Sequence, residues 1–149
     1  MKNHFQTFAI SVDFAVDADA LEQKYFEFQK NFHPDKSDQI EASIKINEAY
    51  EILKNPLKRA AHILQLNGID VENDEIAPKV DQATLLEIFE MRESGNFSPK
   101  EIATKIKSLV NEIAQSLDNK DFAQAAQILI RAKYFDKIAK DLKGKNGLN

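Results

Sequence analysis

His33-Pro34-Asp35 sets an ionisable ring, a rigid backbone and a carboxylate side by side, within the stretch Asn31-Phe32-His33-Pro34-Asp35-Lys36. One chemistry open to such residues is proton transfer, with His33 as base and Asp35 as its orienting carboxylate. Adjacent residues seldom give that geometry, and no second catalytic group is evident, so this is the weakest reading. A second is a polar turn, since Asp and Pro are turn formers for local reasons. The third is a contact element. Pro34 limits the backbone's freedom before binding, Asp35 offers a charge-assisted acceptor and His33 a donor. His4, His33 and His62 have no metal-ligand spacing, and no phosphate-binding glycine loop is present. Cysteine is absent, which excludes disulfides, thiolate metal sites and a cysteine nucleophile. No metal site and no cofactor are expected.

The chain that must position this tripeptide has 149 residues, enough for one ordinary domain or two small ones. Its composition, 43% hydrophobic and 30% charged, is that of a globular protein, and four Gly with four Pro imply long elements with few turns. The formal net charge of −4 gives no electrostatic case for nucleic acid or an anionic membrane. The row Lys133, Lys137, Lys140, Lys143 and Lys145 is interrupted by Asp136 and Asp141, and suits the dipole at a helix C-terminus better than an RNA contact. No apolar leader and no membrane-length apolar run is found, so the expected location is the cytoplasm, or an organelle matrix after processing. Charge is unevenly spread. Residues 71–101 carry eight acids against three bases, and residues 102–149 nine bases against five acids.

Helical periodicity runs through the whole chain, and no segment reads as strand. Phe5, Phe8, Ala9 and Ile10 suit a brief first helix. Asp17 can cap a second, in which Leu21, Tyr25, Phe28 and Phe32 form a stripe and Pro34 enforces a stop at His33 or one residue earlier. Asp38 with Glu41 resembles a capping box opening a third helix. Ala42, Ile46, Ala49 and Leu53 give that helix its core face, with Ile40, Ile44 and Tyr50 widening it. A short loop should make these two helices an antiparallel hairpin with His33 at its end. Asn55-Pro56 starts a fourth helix along Leu57, Ala60, Ala61 and Leu64, and Asn67-Gly68 ends it. The acidic, aperiodic stretch that follows contains Pro78 and is read as a linker. Beyond it, a helix runs from Asp81 to Gly95. A second starts at Ser98-Pro99-Lys100-Glu101 and carries Ile102, Ile106, Leu109, Ile113 and Leu117. The last runs from about Lys120 along Ala125, Ile128, Ala132, Phe135, Ala139 and Leu142 to a stop at Gly144.

The tripeptide between two amphipathic helices, followed by Ile46-Asn47-Glu48-Ala49-Tyr50-Glu51-Ile52-Leu53, resembles the J-domain of J-protein co-chaperones. The resemblance implies that His33, Pro34 and Asp35 contact a DnaK-type chaperone and stimulate its ATP hydrolysis, with Lys24, Lys30 and Lys36 as electrostatic contacts. Two features depart from the usual pattern. Glu22 and Glu27 dilute the basic face of the second helix, and the segment from Ser37 to Lys45 is short. Asn55-Pro56-Leu57-Lys58-Arg59-Ala60, His62-Ile63-Leu64, Asn67-Gly68 and the helical C-terminal half, which includes Tyr134-Phe135-Asp136-Lys137, are similar to the HscB type, dedicated to iron-sulfur cluster assembly.

The helix after Asp81 has its own signal. Projected at 100° per residue, Leu85, Leu86, Ile88, Phe89 and Met91 spread over an arc of about 220°, wider than one buried stripe requires. The expected division has Ile88 and Met91 facing the bundle and Leu86, Phe89, Glu90 and Glu93 facing a partner, with Leu85, at the arc's centre, the residue most expected to be core. The family resemblance implies that Leu85, Leu86, Phe89, Glu90 and Glu93, with Tyr134 from the last helix, recruit an IscU-type cluster scaffold.

The fold expected is therefore all-α: a J-domain over residues 1–69, an acidic linker over 70–80 and a C-terminal three-helix bundle over 81–149, in an L-shaped arrangement. The function expected is a non-enzymatic co-chaperone that delivers an IscU-type scaffold to an HscA-like chaperone of the DnaK type. The alternative is a J-protein for another client.

Overall fold

The computed structural model describes residues 3–33 and 37–147, with side chains for all of these except 37–38 and 145–147. It contains seven helices and, among the described residues, no strand. In order they are α1 (His4–Thr7), α2 (Ala18–Lys30), α3 (Ser37–Lys54), α4 (Pro56–Leu66), α5 (Gln82–Ser94), α6 (Pro99–Asp118) and α7 (Phe122–Gly147). The chain divides into two compact units between Ile63 and Leu64, inside α4. No helix is long and apolar enough to cross a membrane, among the described residues.

Local chemistry sets most helix ends. The Asn3 side chain accepts the Gln6 amide while the Gln6 side chain accepts the Asn3 amide, a reciprocal cap that holds a helix of one turn. The carboxylate of Asp17 accepts the amides of Asp19 and Ala20, and Asn55 accepts those of Leu57 and Lys58. Gly95 ends α5 at φ 60°, in the left-handed region open to glycine at little cost. At Ser98 the side chain accepts the Glu101 amide at 3.1 Å with Pro99 just inside the helix. Two ends differ from expectation. Helix α3 begins at Ser37, which puts Asp38 inside its first turn rather than at the cap. Helix α7 continues through Gly144, where a lone glycine costs only about 1 kcal/mol against a long run of helix-forming neighbours. Helix α2 stops at Lys30, with Asn31 as its cap, slightly ahead of the stop expected from Pro34.

In the first unit α3 is the spine, with α1 and α2 both packed on it. Its Ala49 and Leu53 are fully buried with Phe5, and Phe8 and Leu21 nearly so. Asn47 locks the hairpin: its Oδ1 accepts from both Tyr25 Oη and Gln29 Nε2. One turn on, the Tyr50 ring meets Tyr25 edge to face, 4.1 Å between centroids. Ile40 and Ile44, expected to widen the core face of α3, are exposed. Only α1 and α2 pack on α3, and these two isoleucines lie on the arc that neither helix covers. His62, nearly buried, stacks on Phe5 and accepts the His4 amide on Nε2 at 3.2 Å, so it closes the unit's core and is not part of a metal cluster.

In the second unit α5, α6 and α7 run up, down and up. Glu87 sits opposite Lys105 and Arg131, and residues 105–112 of α6 line the same cavity as residues 124–131 of α7, in reverse order. Ile102, Leu109, Ile113, Leu129 and Phe135 fill the centre. The acidic stretch before α5 is packed: Val71 is buried, and Glu72 pairs with Lys133 at 3.3 Å. Replacing Phe135 with Ala should cost about 3–5 kcal/mol in urea unfolding, from lost transfer energy plus the cavity left behind. Leu86→Ala, on the open side of α5, should stay within about 0.5 kcal/mol of wild type.

Candidate functional site

Two surfaces carry the residues singled out from the sequence. The first is the end of the α2–α3 hairpin. His33 is exposed, and its backbone N–H is accepted by Gln39 Oε1 at 2.6 Å, which ties the start of the loop to the first turns of α3. Phe28 and Phe32 stack at 6.3 Å, and the Asn31 side chain returns to the Glu27 carbonyl, so the loop leaves a finished helix end. Pro34, Asp35 and Lys36 lie outside the described residues.

The two lysines of α2 are not equivalent. Lys24 donates from Nζ to the Phe8 carbonyl at 3.0 Å, which commits it to the α1–α2 junction. Lys30 is exposed at the C-terminal end of α2, where the helix dipole favours a cation. Six residues apart, they lie about 120° from each other around the helix, so they do not form one basic face. Phe26 is exposed beside them.

The second surface is α5. A carboxylate holds the helix in its rotational setting: Glu87 pairs with Lys105 of α6 and Arg131 of α7, both at 2.9 Å. These groups are about a third exposed, so each pair contributes at most about 1 kcal/mol, but together they fix direction. Arg131 and Lys105 also lie over the Phe135 ring. Inward of Glu87 stand Ile88, 8% exposed, and Thr84, fully buried; Met91 is half-buried.

Thr84 sits three residues after the capping Asp81, whose carboxylate accepts the Thr84 amide at 2.8 Å. The Thr84 side chain first, and its amide second, hold the Asp81 carboxyl below the usual carboxylate range. The hydroxyl lies outside strict hydrogen-bond geometry, so its influence is that of a nearby dipole, and the 2.8 Å amide contact is the firm bond.

Leu85 was the apolar residue most expected in the core; it is instead 46% exposed. Thr84, at 260° on the same projection, falls between Met91 and Ile88 and completes the buried edge, which turns Leu85 outward. Leu86 and Phe89 are 58% and 60% exposed, and Glu90 and Glu93 are exposed beside them. Tyr134 of α7 is 38% exposed and shares a groove with Leu85. The structure thus brings Tyr134 to the α5 face while leaving six candidate contact residues accessible on one unit. Apolar anchors rimmed by charge are the composition of a recognition patch. No cluster of potential metal ligands occurs among the described residues.

Sequence reasoning missed the positioning residues: Asn47, Gln39, Thr84 and Glu87. Asn47 carried a signal, being a poor helix former near the middle of a helix. The other three depend on what lies opposite them, which a single helix pattern does not contain.

Comparison with known proteins gives the same two-part order. Residues 3–62 match the DnaJ domain, and residues 99–143 match the HSCB C-terminal oligomerisation domain. A co-chaperone protein HscB homologue of Vibrio vulnificus is 27% identical over 162 residues, covering 94% of each chain. An iron-sulfur cluster co-chaperone protein HscB homologue of Arabidopsis thaliana is 29% identical over 158 residues, covering 94% of this chain and 62% of the relative. Among solved structures, human co-chaperone protein HscB superposes with a TM-score of 0.86 at 26% identity, over 98% of this chain and 83% of that one. Chaperone HscB from Vibrio cholerae, at 23% identity, shares the fold with a TM-score of 0.81 over 99% of both chains. With a J-domain hairpin followed by an HscB C-terminal bundle, and relatives aligned from end to end, the chain belongs to the HscB family of iron-sulfur cluster co-chaperones.

Proposed function

We propose that the protein is an adaptor with two separate contact surfaces. The hairpin end, through His33, Pro34 and Asp35 with Lys36, Lys30 and Lys24, engages a specialised HscA-like chaperone of the DnaK type and stimulates its ATP hydrolysis. The α5 face, through Leu85, Leu86, Phe89, Glu90 and Glu93 with Tyr134, holds an IscU-type cluster scaffold. The protein carries out no chemistry of its own in this reading. It acts by biasing the partner chaperone between two states, which requires only that the loop bind one of them better. Lys24 contributes by fixing α1 against α2, since its ammonium is already spent on Phe8. The site of action is the cytoplasm, where both partners would be met.

The observation that carries this reading is the outward setting of Leu86 and Phe89, with Ile88 buried between them and acids at their edge. Large apolar side chains held this open have no role in folding the bundle, and their chemistry suits burial against another protein. A scaffold on α5 and a chaperone on the hairpin call on different residues, so each activity can be removed alone.

His33→Gln should return the chaperone's ATPase to its basal rate while leaving helicity and scaffold binding unchanged; undiminished stimulation would overturn the assignment of the loop. Leu86→Ser with Phe89→Ser should weaken scaffold binding by at least about 2 kcal/mol, roughly thirtyfold, in a calorimetric titration, with stimulation by the free protein intact. Persistent tight binding by the double variant would place the scaffold elsewhere.

A further inference from the structure

Next to the α5 face lies a groove that the proposed scaffold contacts do not account for. It has a volume of about 560 Å³ and opens between the packed stretch ahead of α5 and the outer side of α7. Val71 and Ile130, both buried, belong to its lining together with Ala77 and Pro78. Leu85 and Tyr134 also line it, so the groove is continuous with the apolar strip of α5.

Its rim is basic. Lys79, Lys133 and Lys137 line it against one acid, Asp74. The ammonium of Lys133 is partly neutralised by Glu72 at 3.3 Å, whereas Lys137 is exposed and makes no ion pair among the described residues. The opposite end of the strip is acidic, with Glu90 and Glu93 exposed. From Leu85 to Glu93 the helix rises about 12 Å, so the two charge signs stand about that far apart along one apolar path.

We infer that this groove is a second subsite for the same scaffold protein, taking an apolar side chain flanked by carboxylates, while basic residues of the scaffold meet Glu90 and Glu93. The inference rests on the scaffold reading of the α5 face and extends it. Burial of an apolar side chain against Val71, Ile130 and Tyr134 supplies contact area. The lysines select an acidic neighbour and desolvate little, because they remain at the rim. With opposite charges at the two ends, a partner docked in reverse would set like charges against each other at both, so the arrangement dictates one orientation.

The test is titration of purified IscU-type scaffold against wild type, Lys137→Glu, and the double variant Leu86→Ser with Phe89→Ser, at low and at high salt. Lys137→Glu should weaken binding by roughly fivefold at low salt, with the difference narrowing at high salt, because a rim charge acts through a screened field. Its circular dichroism should match wild type, since Lys137 supports no contact in the bundle. If Lys137→Glu binds as wild type while the double variant loses binding, the groove is no subsite and the α5 reading stands. If wild type itself fails to bind the scaffold, both fall. Sedimentation of the free protein adds a further check: self-association relieved by Lys137→Glu would make a second copy the occupant and overturn the inference.

Discussion

The recognition helix depends on one ionic fork. Helix α5 offers the bundle little apolar surface, only Ile88, Thr84 and part of Met91, and such a helix could roll. Glu87 prevents this by reaching two cations on two different helices, Lys105 on α6 and Arg131 on α7. A single pair leaves rotation about its own axis open, whereas two pairs diverging from one carboxylate define a plane. Rotation by one residue, 100°, would bring Leu85 or Leu86 toward the core and withdraw part of the open strip. The energy of the fork is small at this exposure, and its value lies in orientation.

The hairpin uses a neutral counterpart of the same device. The Asn47 carbonyl accepts from a tyrosine and a glutamine one turn apart on α2, and the edge-to-face ring pair repeats the contact one turn along. Two such contacts in series hold α2 and α3 in register, so the segment leaving Phe32 and the segment entering α3 start from fixed points. In both units a polar side chain on one element gathers partners from others, and an exposed functional surface sits beside it.

Much of this was legible in the sequence, and the residues that were not share a cause. Caps at Asp17, Asn55, Asp81 and Ser98 depend on side chains within three residues, which the sequence displays directly. The 220° arc of α5 was equally visible, because counting apolar positions around a helix needs no knowledge of its neighbours. Which edge of that arc is buried does need such knowledge. Thr84 has little hydrophobic signal, yet it takes the inner position and displaces Leu85. Ile40 and Ile44 failed for the same reason, since their fate depends on how many helices pack around α3. Gly144 is a stop signal by its type, but the surrounding run of helix formers carries α7 past it.

The acidity of residues 71–101 has a colloidal consequence. Leu85, Leu86 and Phe89 open to solvent would make a self-adhesive stripe on a neutral background, and two copies meeting face to face would bury it. Glu90 and Glu93 lie beside the stripe within a segment bearing eight acids and three bases, so two copies brought together there repel. The negative charge that marks the face for a basic partner thus also keeps it vacant until that partner arrives.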